Sequence, residues 1–72
     1  MTTRENAQTI INMATKQFMQ YDACGSAEIC INDANILLAE GNFSRSGERA
    51  LKALAYIVGV FHDDYTIAKK LL

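Results

Sequence analysis

Seventy-two residues make one domain with one core, near the lower limit of independent stability. Half of them are apolar and 21% are charged, which excludes a disordered chain. The net charge of −1 argues against a nucleic-acid-binding domain held by bulk electrostatics, because such domains show a basic excess on at least one face.

In chain order, Thr2, Thr3, Arg4 and Glu5 fit a capping box, in which a hydroxyl and a carboxylate satisfy the free amides of a first helical turn. Behind them Ala7, Ile10, Ile11, Ala14, Phe18 and Tyr21 recur at helical spacing, which predicts a first helix over residues 3–20. Residues 21–25 form a break, with Gly25 expected as terminator and Ser26 or Asp22 as cap for the next helix.

The spacing then predicts a second helix over 26–40 with a core stripe of Ala27, Cys30, Ile31, Ala34, Leu37 and Leu38. Ile29 and Ile36 lie off that stripe, near Asp33 and Glu40. They make a narrow apolar ridge edged by acids, read either as core overflow or as a surface for a partner. Gly41 and Asn42 supply the left-handed cap that ends the helix.

Residues 50–61 carry one charge, Lys52. Such a stretch reads as a helix buried on more than one side, and at about 18 Å it is too short to span a bilayer. The predicted third helix begins near Ser44 and reaches Phe61 or His62. Ala50, Leu51, Leu54, Ile57, Val58 and Phe61 share one face with Gly47. The opposite face starts with Arg45, Arg49 and Lys52 and becomes Ala53, Tyr56, Gly59 and Val60. Gly59 inside a helix costs about 1 kcal/mol relative to alanine, and close approach of another helix is the usual compensation. This second patch is where an additional helix is expected, either the last helix of the chain or a second copy, so self-association through the third helix is expected. Asp63 and Asp64 are expected to cap a last helix over 64–72, with Tyr65, Ile67, Ala68, Leu71 and Leu72 as its apolar residues; so short a helix holds only by packing.

Charge is unevenly divided. Residues 21–44 carry Asp22, Glu28, Asp33 and Glu40 and no Lys or Arg, while 45–72 carry Arg45, Arg49, Lys52, Lys69 and Lys70 against three acids. Two helices of opposite sign packed side by side account for this.

Gly41, Asn42 and Phe43 followed by Ala50, Ala53 and Leu54 resemble the inter-helix turn and second helix of a tetratricopeptide repeat. Asp63, Asp64 and Tyr65 with Ala68 repeat the flavour, but the two turns are 22 residues apart where that repeat has a period of about 34. The resemblance implies antiparallel helix pairing, and no family is assigned from it. A helix-turn-helix outline is also present, with Arg45, Arg49 and Lys52 opening the second helix as a recognition helix would. The acidity of the helix before the turn and the apolar run after Lys52 count against it.

No residue cluster identifies a reaction. His62, Asp63 and Asp64 lack converging groups, Ser44 and Ser46 lack the strand-turn-helix setting of a nucleophile elbow, and the four glycines are isolated. His62 is expected to end the third helix, at the negative end of its dipole. Cys24 and Cys30 have neither redox nor zinc spacing. Together with an amino terminus unlike a signal sequence they suggest free thiols, buried or half-buried, in a reducing, cytoplasmic setting.

The sequence thus predicts an all-α, single-domain protein over residues 1–72, a small antiparallel helical bundle of three main helices plus a short fourth. It is expected not to be an enzyme and to need no cofactor or metal. The expected function is non-catalytic protein binding, as a small adaptor, co-chaperone or inhibitor of the kind found among bacterial and phage accessory proteins. Its partner is another protein or a second copy forming a homodimer, met through Ile29, Asp33, Ile36, Glu40, Ala53, Tyr56, Gly59 and Val60. The alternative is a small DNA-binding regulator using Arg45, Arg49 and Lys52.

Overall fold

The computed structural model describes residues 2–22 and 25–72, and 84% of these are helical. The described residues form four helices in order, α1 (Arg4–Tyr21), α2 (Gly25–Ala39), α3 (Phe43–Val58) and α4 (Asp63–Leu71). The expected small all-α helical bundle is what the chain forms. Three helices, α1, α2 and α3, pack on one another, and α4 lies against α1 and α3.

Polar contacts between the elements fix their directions. Asp33 meets Arg49 and Ala34 meets Ser46, so α2 and α3 run antiparallel. Asn6 meets Leu71 and Gln17 meets Asp64, so α1 and α4 do as well. The opposite signs of α2 and α3 are joined directly: an Arg49 guanidinium nitrogen lies 3.2 Å from an Asp33 carboxylate oxygen.

Seven wholly buried alanines, Ala7, Ala14, Ala27, Ala34, Ala50, Ala53 and Ala68, line the core, and Ile10 and Leu54 are its largest fully buried apolar side chains. Short side chains at the contacts let helix axes approach closely. Close approach in turn lets the buried Ser46 hydroxyl donate to the Ala34 carbonyl at 2.7 Å, pinning α3 to α2. Removing that bond in Ser46→Ala should cost about 1 kcal/mol, read as a lowered urea midpoint with an unchanged slope.

The ends of the helices account for most departures from the sequence reading. Thr3 rather than Thr2 caps α1, its hydroxyl accepting from the Asn6 amide, because the Thr2 hydroxyl is turned to the Leu72 carbonyl 3.4 Å away. Asp22 ends α1 in the left-handed conformation, and Gly25, expected as a terminator, is instead the first residue of α2. Tyr21, expected in the core stripe, is 56% exposed.

The end of α2 is as expected. Gly41 takes a φ of +83°, and the amides of Gly41 and Asn42 donate to the carbonyls of Leu38 and Leu37, the paired bonds of a Schellman turn.

The third helix is shorter than the apolar run suggests. It ends at Val58, and Gly59 caps it with a φ of +89°, a conformation glycine adopts without strain. Gly59 is therefore a stop signal and not an interior residue allowing helix contact; a methyl group placed there would meet nothing within 4 Å. Val60 and Phe61 belong to the following turn, and Phe61, expected in the core, is 96% exposed.

His62 likewise belongs to the next helix. Its Nδ1 accepts from the Asp64 amide and so caps α4 in place of the expected aspartates. Asp64 is left to accept from the Gln17 side-chain amide at 2.7 Å. At the far end of α4, Asn6 and Thr2 donate to the carbonyls of Leu71 and Leu72. A close approach of another kind is found at Gly47, where a Cβ would come within 2.7 Å of a Leu72 methyl. The fourth helix is thus held at both ends by α1 or the residues before it, and its last residue packs over α3.

Candidate functional site: the outer face of α2 and α3

On α2, the residues at helical spacing divide cleanly. Ala27, Cys30, Ile31 and Ala34 are buried, while Ile29 and Ile36 are 63% and 57% exposed. Seven residues apart, these two isoleucines stand one above the other on the side pointing away from the core. Asn32, also exposed, lies between them. Glu28 flanks the ridge on one side, and Asp33 and Glu40 flank it on the side of α3; all three are exposed. The core stripe of α2 is filled by other residues, so these isoleucines are not core overflow.

On α3, the structure redraws the patch expected from Ala53, Tyr56, Gly59 and Val60. Ala53 is wholly buried and part of the core. Gly59 lies outside the helix. Val60, 48% exposed, sits at the edge of a shallow groove of about 440 Å³ lined with Tyr65, Thr66, Lys69 and Lys70 of α4. Tyr56, 51% exposed, is the one member left on the outer face of α3. The four residues therefore do not form one surface. The cause is the width of the buried arc of α3, which takes in Ser46, Gly47, Ala50, Ala53 and Leu54, with Ser46 bonded to α2 and Gly47 beside Ile10 of α1.

The three cations at the start of α3 also separate. Arg45 and Lys52 are exposed. Arg49 is drawn into the pair with Asp33, and its Nε is buried without a hydrogen-bond partner. Tyr56, which the helical wheel grouped with Ala53, Gly59 and Val60, lies seven residues after Arg49 on α3 and so on the side where Arg49 meets Asp33, next to the ridge of Ile29 and Ile36. Antiparallel pairing of α2 and α3 could have indicated this from the sequence, had the end of α3 been placed correctly.

Cys30 is an unpaired, buried thiol in the core; the expectation for Cys24 lies outside the described residues. Among the described residues no three His, Cys, Asp or Glu side chains converge as metal ligands would. None of the described helices is long and apolar enough to cross a membrane.

The fold places the chain among small all-α helical bundles. No protein-family model, curated protein or solved structure matches it.

Proposed function

We propose that this chain is a non-catalytic protein–protein interaction module, a small adaptor, co-chaperone or inhibitor, that works by docking the outer face of α2 on protein. The observation that carries this reading is the exposed pair Ile29 and Ile36 set among acids on a helix whose core stripe is already complete. Fully burying an isoleucine is worth about 1.5–3 kcal/mol, so two that remain outside are a reserve of binding energy. The flanking acids Glu28, Asp33 and Glu40 keep the ridge soluble and favour cationic surroundings in whatever meets it. A free thiol at Cys30 supports a reducing, cytoplasmic location.

The DNA-binding alternative rests on Arg45, Arg49 and Lys52. Pairing of Arg49 with Asp33 leaves two free cations there, beside a helix of acids, where a phosphate backbone would be repelled.

The two readings differ in their salt dependence. Affinity capture from a lysate of the source cell, repeated from low to high salt, should yield a salt-tolerant protein partner that is lost when Ile29 and Ile36 are both replaced by Asp. Arg45→Gln with Lys52→Gln should leave that capture within about threefold of the parent, since each removes one exposed charge and keeps part of the aliphatic stem. Arg49 is left in place because its removal would free Asp33. Sequence-specific DNA binding by the parent, abolished in this double variant and by high salt, would reverse the assignment.

A further inference from the structure

The outer faces of α2 and α3 form one surface, and charge is divided along it. On the α2 half stand Ile29 and Ile36 with the exposed carboxylates of Glu28 and Glu40. On the α3 half stand the exposed Arg45, Lys52 and Tyr56, with the exposed Glu48 about one turn from both cations, so this half keeps one net positive charge against the two carboxylates of the α2 half. The pair of Asp33 and Arg49 marks the middle, where the two charges already cancel. Counted outward from that pair along antiparallel helices, Ile36 falls within one residue of the level of Arg45, and Ile29 within one of Lys52.

We propose that this face receives a second copy of the chain, with α2 of each protomer lying antiparallel over α3 of the other. The proposal rests on the reading of the α2 ridge as a protein-binding surface and names its occupant. A two-fold axis in the plane of the interface has two principal settings. Set across the helices, it lays α2 on α2 and α3 on α3, so that acids meet acids and Arg45 and Lys52 meet cations. Set along the helices, it lays the acidic half on the basic half twice over.

Charge complementarity selects the second setting. Ile29 and Ile36 then cover the aliphatic stems of Lys52 and Arg45 and the ring of Tyr56. Glu28 comes within about one turn of Lys52 of the second copy, and Glu40 within about 6 Å along the axis of the level of Arg45, at 1.5 Å per residue. Two helices about 22 Å long and 8–10 Å apart present roughly 450 Å² in projection. That is toward the small end of specific interfaces, so the dimer is concentration-dependent, with a dissociation constant on the order of micromolar.

Sedimentation equilibrium at low ionic strength tests this with two charge-reversal variants, all at exposed positions whose side chains make no hydrogen bond or ion pair among the described residues. Far-ultraviolet circular dichroism confirms that each remains folded. The parent should dimerise, and raising salt should weaken the dimer only in part, because the isoleucine contacts persist when the charges are screened. Glu28→Lys with Glu40→Lys, and separately Arg45→Glu with Lys52→Glu, should each weaken dimerisation by about tenfold or more, because like charges then face each other in both halves. An equimolar mixture of the two variants should recover dimers as heterodimers, since both halves become complementary again.

A parent that stays monomeric at high micromolar concentration, while still capturing a protein through Ile29 and Ile36, would overturn self-pairing and leave the binding function standing. A monomeric parent that captures nothing would remove both. If Glu28→Lys with Glu40→Lys dimerised as well as the parent, or if the mixture failed to associate, α2 would not lie over α3 and the proposal would be wrong.

Discussion

Replacing Ala53 by aspartate should leave the chain largely unfolded at room temperature, while the same charge at Val60 should cost less than about 1 kcal/mol. Ala53 is wholly buried between helices and belongs to the core. The nearest cation, Arg49 one turn earlier, is already engaged by Asp33, so a carboxylate buried there is poorly paired at best and costs several kcal/mol whether it stays charged or takes up a proton. A domain of this size has a stability of about 4–10 kcal/mol in total. Val60 is 48% exposed in the turn after α3, where a polar side chain can reach water. Urea unfolding of the two variants separates residues that the helical wheel had grouped as one patch. Equal effects, large or small, would show that they do share an environment.

Leu54→Ala is expected to cost about 3–4 kcal/mol, toward the upper part of the range for buried leucine. Leu54 is wholly buried, and around it the core is built largely from alanine. Alanine has no rotamer with which to fill a cavity, so relaxation falls to the few larger side chains of the cluster and to movement of whole helices, which the bond from Ser46 to Ala34 and the pair of Arg49 and Asp33 oppose. Leu54→Met, nearly equal in volume, should cost less than about 1.5 kcal/mol. Thermal or urea unfolding measures both. A loss below 1 kcal/mol for Leu54→Ala would mean that the core collapses freely around the missing atoms.

Most of the architecture was legible because apolar residues at helical spacing place long elements well. The observed limits of α1, α2 and α4 fall within a residue or so of those expected. The end of α3 was hidden by continuity. Val58, Val60 and Phe61 extend an apolar run straight through Gly59, and only the backbone conformation of Gly59, with its φ of +89°, reveals that the run crosses a turn. Ala53 was misplaced for a different reason. Its angular distance from Ala50 on a wheel is modest, and a methyl side chain carries too weak a signal to say whether the flank of a helix is covered.

The capping residues failed through competition. Thr2 and Thr3 offer the same hydroxyl, and which one caps α1 depends on Leu72, almost a whole chain away, accepting from Thr2. His62 was read as the end of one helix because its role as an acceptor appears only once Gly59 has ended that helix. Of the candidate surface, Ile29 and Ile36 with their acids were visible directly, as residues off a complete stripe. Tyr56 was found but grouped with the wrong neighbours.

The central claim is that Ile29 and Ile36 are held outside the fold for binding, and a double substitution with two readouts meets it most directly. In Ile29→Asp with Ile36→Asp, the urea midpoint should fall by no more than about 1 kcal/mol equivalent, since neither side chain is needed by the core. Protein capture by the same sample should be lost. A variant that unfolds would mean that the ridge is part of the core, and a stable variant that binds as the parent does would mean that the ridge is idle surface. Either result would contradict the account.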